Sequence, residues 1–218
     1  ALLIFDEVVT GFRIGMAGAQ GYYGVSPDLT IFGKVIAGGY PGAGGVGGKK
    51  EYMKYLGAGL DDSGMKIKKA FTGGTMTANP LSCCAGYFTL EEIDKTNACQ
   101  KAGEMGDRIT TGLQELIAKH GLPFVAWNEG SVCHLETVGT MHYEVNWKKP
   151  WTIPGVLKAT SERKKEMQYM GAAYMAEGLV TLAGSRLYTS AAYTPKMIDQ
   201  ALQCFDKVFE NVAVKPAE

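Results

Sequence analysis

Apolar residues form two short, uninterrupted runs near the start of the chain, and a charged residue follows each run. Residues 2–5 read LLIF and precede Asp6, and residues 29–32 read LTIF and precede Gly33 and Lys34. Apolar runs of this length, bounded by turn signals, are typical of strands buried inside a parallel sheet. We therefore expect two short strands here, the first of them fully buried.

The rest of the pattern predicts alternating strands and helices. Asn79 followed by Pro80 is typical of an N-cap and the first helical residue, and Thr194 followed by Pro195 repeats this signal. We predict further strands at 43–46, 124–127, 132–138 and 179–182, and helices at 49–56, 80–93, 97–120, 163–176 and 195–212. This order indicates an α/β protein in two parts, with a boundary near residue 105.

Composition and charge exclude several classes of function. Lys plus Arg is 22 and Asp plus Glu is 22, so the charge gives no basic bias towards nucleic acid or an anionic membrane surface. No apolar run is long enough to predict a membrane span. Five cysteines without a C-x-x-C pair indicate a reducing, cytoplasmic setting. Because Ala1 lies inside an apparent strand, we expect that upstream sequence is missing.

The charged residues after the two apolar runs are the first candidates for chemistry. Ligands of open α/β sheets bind outside the carboxyl ends of the strands. If the two strands are neighbours, Asp6 and Lys34 therefore face one crevice. On these residues alone, a buried structural ion pair or a lysine at the sheet edge is the simpler interpretation.

Three longer motifs favour a catalytic interpretation. The stretches FDEVVTGFR, PDLTIFGKVIAGGYP and FTGGTMTANPLSCCAG occur in this order, and GAQGYYGVSPDLTIFGK overlaps the second. Together they resemble the class III aminotransferases, most closely the glutamate-1-semialdehyde 2,1-aminomutase branch. The resemblance implies a fold type I pyridoxal-phosphate-dependent transferase whose N-terminal part is missing. Residues 1–105 would be the C-terminal part of the large cofactor domain, and residues 106–218 the small C-terminal domain.

The resemblance also implies roles for residues near the two strand ends. Lys34 would form the Schiff base with pyridoxal 5'-phosphate and carry protons during catalysis. Asp6 would pair with the pyridine nitrogen of the cofactor and keep it protonated. Val8 would pack on one face of the ring, on the same side as Asp6 if the chain stays extended. Glu7 is interpreted as structural.

Further roles implied by the resemblance concern the second subunit and the substrate. Thr75 would reach the cofactor phosphate of the neighbouring subunit, with backbone contacts from Gly74, so a homodimer would share its active sites. Without the family context, Thr75 is an ordinary turn residue before a helix. Arg186 would bind a substrate carboxylate, and a surface arginine is an equal alternative. No metal site is expected, because Cys133 and His134 are adjacent on a strand and face opposite ways.

The main functional hypothesis is transfer of an amino group between an amine or amino acid and a carbonyl compound. An intramolecular 2,1-aminomutase or an amino-acid racemase would use the same residues. A non-catalytic dimerisation fragment is an alternative from a different class. A dinucleotide-dependent oxidoreductase ranks last, because the G-x-G-x-x-G match at residues 42–47 lacks a preceding strand and a suitably placed acid.

Overall fold

The structure is a computed structural model that describes residues 1–57, 59–60, 63–66, 68–137, 149, 151 and 153–212. These residues form two compact units, Ala1–Gln100 and Lys101–Glu218. The assignment of the two parts to a large cofactor domain and a small domain stays a prediction. Within the described residues, each unit contains one three-stranded sheet.

The sheet of the first unit carries both charged strand ends. Its strands are β1 (Ile4–Asp6), β2 (Leu29–Phe32) and β3 (Gly45–Gly48), in the order β1-β2-β3. β1 and β2 are parallel, with Asp6 opposite Ile31, whereas β3 runs antiparallel to β2. The two strands are therefore neighbours, which was the condition for Asp6 and Lys34 to face one crevice. The glycine-rich segment forms a strand two residues later than predicted.

The prediction that the first strand is fully buried was wrong for the described residues. Leu2, Leu3 and Ile4 keep 50%, 45% and 49% of their surface exposed. β1 is an edge strand of the described sheet and pairs only with β2. An apolar run therefore identified the strand correctly, but the run alone could not determine how much of its surface is covered.

Short helices and one long helix surround this sheet. They are α1 (Gly18–Tyr23), a 3₁₀ helix at Lys34–Ala37, α2 (Lys50–Met53) with a 3₁₀ extension at Lys54–Leu56, and α3 (Pro80–Lys95). The Asn79 side chain accepts a hydrogen bond from Ser82 N at 3.0 Å, so the predicted N-cap of α3 is confirmed. Gly86 lets α3 pack against the Lys34–Ala37 helix, because a Cβ at Gly86 would lie 2.0 Å from Ile36 O.

The second unit packs helices against an antiparallel sheet. Its elements are α4 (Ala98–His120), β4 (Val125–Glu129), β5 (Val132–Glu136), α5 (Ile153–Ala176), β6 (Arg186–Tyr188) and α6 (Pro195–Glu210), with strand order β4-β5-β6. Its core contains Leu113, Leu135, Tyr174, Phe205 and Phe209, each at most 1% exposed. Burial of this apolar surface is the main source of stability for the unit.

Two elements of the second unit differ from the sequence prediction. The strand predicted at 179–182 does not form, because Ala183 and Gly184 adopt left-handed backbone angles (φ +54° and +76°) and turn the chain. The strand that does form is β6, which pairs with β5. α5 begins at Ile153, ten residues before the predicted start, with Pro154 in its first turn. Within the described residues, no helix has the length and apolar character needed to cross a membrane.

Candidate active site

Asp6 lies at the carboxyl end of β1, and Lys34 follows the carboxyl end of β2 after one glycine. Since the two strands are parallel and paired, both residues lie at the same edge of the sheet, the one formed by the carboxyl ends of β1 and β2. Both side chains are exposed. Asp6 Oδ1 accepts a hydrogen bond from Val8 N at 3.0 Å, which orients the carboxylate at the strand end.

Glu7, the neighbour of Asp6, is buried and fixes the turn that follows β1. Its side chain is 1% exposed and accepts hydrogen bonds from Ala19 N at 2.9 Å, Gln20 N at 3.1 Å and Thr10 Oγ1 at 2.5 Å. Gly18 leaves room for this carboxylate, because a Cβ there would lie 2.7 Å from Glu7 Oε1. Glu7 therefore joins the end of β1 to the start of α1, in agreement with the structural role predicted for it.

Val8 does not continue an extended strand. β1 ends at Asp6, and residues 8–13 form turns, with Gly11 N donating to Glu7 O at 2.9 Å. The assumption that the chain stays extended was therefore wrong. The Val8 side chain instead contacts the residue before Lys34, because a Cβ at Gly33 would lie 3.2 Å from Val8 Cγ1. The turn thus brings Val8 to the lysine-bearing segment.

Lys34 has a backbone conformation that is uncommon for a residue with a side chain. Its φ is +50°, and it begins the 3₁₀ helix Lys34–Ala37, which ends at Gly38. Such conformations cost about 1–3 kcal/mol and persist where the surrounding structure holds them, often at functional sites. α3 packs closely against the same helix, at Ile36 and Gly38.

The charges at the two ends of the sheet are arranged differently. At the end opposite Lys34, Asp28 accepts from Lys49 Nζ at 2.6 Å and from Leu3 N at 2.8 Å. The hydrogen bond from Lys49 lowers the pKa of the Asp28 carboxyl below its ordinary value. Among the described residues, by contrast, no salt bridge includes Asp6 or Lys34. The alternative of a buried structural ion pair between them was therefore wrong.

Thr75 and Gly74 lie in an exposed turn before α3. Gly74 O accepts from Thr77 N at 3.0 Å, and Ala78 N donates to Gly42 O at 2.7 Å. The first bond closes the turn, and the second joins it to the segment that follows the lysine-bearing helix. No contact among the described residues joins Thr75 to Asp6 or Lys34, so its role at a neighbouring subunit stays a prediction.

Arg186 belongs to the second unit, where it begins β6 opposite His134. Burial and the nearby charge of Arg186 lower the pKa of His134, which stacks on Trp127 with 4.3 Å between ring centroids. The Arg186 side chain is exposed, and binding of a substrate carboxylate stays a prediction. In the part of the chain that the structure describes, no cluster of His, Cys, Asp or Glu could hold a metal ion, and His142 lies outside that part.

Comparison with known families identifies the family of the chain. Residues 1–204 match the family described as aminotransferase class III. The chain belongs to this family. The match includes both charged strand ends, the Thr75 turn and Arg186, so every candidate residue of this class III aminotransferase chain lies within the matched range.

The sequence relatives are aminomutases by name. The chain is 36% identical over 220 residues to glutamate-1-semialdehyde 2,1-aminomutase 1 of Staphylococcus carnosus (strain TM300), covering 99% of this chain and 46% of the relative. It is also 36% identical over 217 residues to the protein of the same name from Staphylococcus epidermidis (strain RP62A), covering 97% and 45%. This class III chain thus spans about half the length of the curated relatives that it matches.

The solved structures confirm the α/β, fold type I architecture. An omega-transaminase from Sphaerobacter thermophilus superposes with a TM-score of 0.74 at 23% identity, covering 96% of this chain and 44% of that one. A transaminase with pyridoxal phosphate bound gives a TM-score of 0.74 at 22% identity, covering the same shares. At these identities the likeness shows the fold, and the roles of single residues depend on the site itself.

The residues at the sheet edge of this class III chain fit pyridoxal phosphate chemically. A primary amine at Lys34 suits covalent attachment of an aldehyde, and a carboxylate at Asp6 suits a protonated ring nitrogen. Both groups are exposed at one edge, and the Val8 side chain lies beside the lysine-bearing segment. The Asp6, Val8 and Lys34 segments are therefore brought together, and the roles that the resemblance implies for these residues stay predictions.

Proposed function

We propose that the protein catalyses pyridoxal-phosphate-dependent transfer of an amino group between an amine or amino acid and a carbonyl compound. The observation that carries this proposal is the pair of exposed residues, Asp6 and Lys34, at the ends of two adjacent parallel strands. Membership of the class III aminotransferase family supports it. Because the chain spans about half of its curated relatives, the activity is proposed for the complete natural polypeptide.

Lys34, Asp6 and Val8 each have a defined role in this proposal. Lys34 Nζ would hold the cofactor covalently and, when free, would take a proton from the substrate Cα. The Asp6 carboxylate would keep the proton on the ring nitrogen, and Val8 would support the ring face. When bound, pyridoxal phosphate supplies an electron sink for the negative charge that develops at the substrate Cα.

A second candidate is intramolecular 2,1-aminomutation, favoured by the relatives named glutamate-1-semialdehyde 2,1-aminomutase at 36% identity. It would use the same Asp6 and Lys34, with the amino group returned to a neighbouring carbon of one molecule. The racemase and the non-catalytic fragment have no observation of their own in their favour.

One pair of assays separates these candidates. We expect the complete natural polypeptide with pyridoxal phosphate to convert a 2-oxo acid to its amino acid when an amine donor is supplied. Isomerisation of glutamate-1-semialdehyde is measured in parallel, without any donor. Turnover in the second assay alone would indicate the intramolecular aminomutase reaction instead of amino-group transfer. The absence of turnover in both assays would contradict the catalytic proposal.

We further propose that the protein acts as a homodimer in which Thr75 contacts the partner's cofactor. The support is the exposed position of Thr75 on a turn that one hydrogen bond, from Ala78 N, joins to Gly42 O. A hydroxyl and the amides around it suit a phosphate.

A hybrid dimer provides the test of the shared site. In the proposed dimer, each site uses Lys34 of one subunit and Thr75 of the other. A hybrid of one Lys34→Ala subunit and one Thr75→Ala subunit therefore has one site with both residues intact, because Lys34 comes from one subunit and Thr75 from the other. A mixture of the two variants should therefore show a higher turnover per Lys34-bearing subunit than Thr75→Ala alone. The matched control is the same mixture made with Thr72→Ala in place of Thr75→Ala. Equal turnover before and after subunit exchange, or a monomer in sedimentation, would contradict the shared site.

We also propose a cytoplasmic location, from the odd cysteine count and the five free thiols. Cell fractionation with an antibody against the protein is the measurement. Recovery in an oxidising compartment would contradict this location.

A further inference from the structure

The turn that precedes β6 fixes the backbone of Arg186. Leu182 N donates to Arg186 O at 2.9 Å, and Arg186 N donates to Leu182 O at 3.1 Å. Between these two residues the chain turns through a left-handed conformation at Gly184 (φ +76°). Leu135 N on β5 also donates to Ser185 O at 2.8 Å. The backbone position of Arg186 is therefore set by this turn and by the neighbouring strand.

The same turn meets α5 backbone to backbone. A Cβ at Gly171 of α5 would lie 3.2 Å from Gly184 Cα, and a Cβ at Gly184 would overlap Met167 O. Gly184 and Ser185 are both buried. The contact between Gly171 and Gly184 therefore sets how closely the turn approaches α5, and a single methyl group added there would have to displace the turn.

The side chain of Arg186, unlike its backbone, is exposed. Among the described residues, no salt bridge includes it. His134, its cross-strand neighbour, has a pKa lowered by burial and by the charge of Arg186, so it is neutral near pH 7. Glu136, on the same face of β5 as His134, pairs with Arg163. An exposed guanidinium on a fixed backbone suits a carboxylate, which it can bind through two hydrogen bonds.

We propose that the contact between Gly171 and Gly184 positions Arg186 for the carboxylate of an amino donor, so that both glycines are positioning residues for donors that carry a carboxylate. Neither glycine touches the donor, and each acts through the position of the turn. The inference rests on the proposed amino-group transfer and on the role predicted for Arg186. It adds that affinity for a carboxylate depends on how closely α5 packs against the turn.

Gly171→Ala in the complete natural polypeptide tests this role with two donors that differ only in the carboxylate. Phenylalanine carries it and 2-phenylethylamine lacks it. We expect the KM for phenylalanine to rise roughly three- to tenfold, because the displaced guanidinium loses part of its hydrogen bonding to the carboxylate. The kcat with phenylalanine and both constants for 2-phenylethylamine should stay unchanged, which a general loss of structure would not produce.

Gly155→Ala is the matched control, because it is the same substitution in the same helix and its Cβ would have no neighbouring atom within 4 Å. It should leave every constant unchanged. Arg186→Ala should raise the KM for phenylalanine at least roughly tenfold. In the Arg186→Ala protein, Gly171→Ala should add no further change, since the two substitutions act on one interaction.

Isothermal titration calorimetry with 3-phenylpropionate and its amide measures the same preference without turnover. Gly171→Ala should weaken binding of the carboxylate by the same factor and leave binding of the amide unchanged, and the stoichiometry gives the folded fraction. If neither donor is turned over, the proposed function fails, and the titration still decides the positioning role. An equal loss for carboxylate and amide, no loss for the carboxylate, or a loss that persists in Arg186→Ala would overturn the inference.

Discussion

Replacing Lys34 with alanine is expected to abolish covalent attachment of pyridoxal phosphate and to lower the rate of amino-group transfer about 100- to 10,000-fold. The alanine side chain offers no amine to bond the cofactor and no base to take the proton from the substrate Cα. Lys34→Arg should lose as much activity as Lys34→Ala, because arginine keeps the positive charge but does not form the covalent bond to the cofactor. The two variants together separate the chemistry of the amine from its charge.

Borohydride reduction followed by peptide mass spectrometry is the direct measurement. In the unchanged protein, the cofactor mass should appear on the peptide that contains Lys34. Lys49→Ala is a matched control, because Lys49 directly follows β3 of the same sheet but pairs with Asp28 at the end opposite Lys34. Recovery of the cofactor on a different lysine, or turnover by Lys34→Ala equal to that of the control, would refute the assignment.

Replacing Glu7 with alanine is expected to lower the free energy of unfolding by about 3 kcal/mol or more. Three donors, Ala19 N, Gln20 N and Thr10 Oγ1, lose their common acceptor, and each loss costs about 1 kcal/mol or more. The vacated space beside Gly18 adds to this cost. Because Glu7 fixes the turn after β1, the variant should also lower turnover through misplacement of Asp6.

Urea unfolding monitored by circular dichroism measures the change, since the midpoint and slope give the free energy of unfolding. Glu115→Ala is the control, because Glu115 is exposed on α4, and its effect should stay within about 0.5 kcal/mol. Glu7→Gln keeps one acceptor oxygen and should lie between the two. Equal stability of Glu7→Ala and Glu115→Ala would contradict the anchoring role.

Elements with local signals were predictable from the sequence. The apolar run at Leu29–Phe32 matched β2 at both ends, because turn residues bound it on each side. The Asn79 and Thr194 caps determine where α3 and α6 begin, and both caps depend on contacts within three residues. The positions of Asp6 and Lys34 were predictable for a similar reason, since Asp6 ends β1 and Lys34 follows β2 after one glycine. Their roles stay predictions.

Features that depend on distant parts of the chain were not predictable. β6 has only three residues and exists because it pairs with β5, about fifty residues earlier in the sequence. The position of Val8 depends on the turn around Glu7, whose amide partners are 12 and 13 residues away. The close packing of the Lys34–Ala37 helix against α3 likewise joins residues that are far apart in the sequence, because α3 begins at Pro80. A pattern of apolar and polar positions does not indicate contacts between residues that are far apart in the sequence.

The close approach of α3 to the Lys34–Ala37 helix restricts how the protein could be redesigned. A Cβ at Gly38 would lie 2.5 Å from the backbone of Ala85, and a Cβ at Gly86 would lie 2.0 Å from Ile36 O. We expect a side chain at either position to separate α3 from the lysine-bearing helix without contacting Asp6 or Lys34. An engineer who changes substrate preference should therefore keep both glycines and diversify exposed positions, where substitution leaves the lysine's support intact.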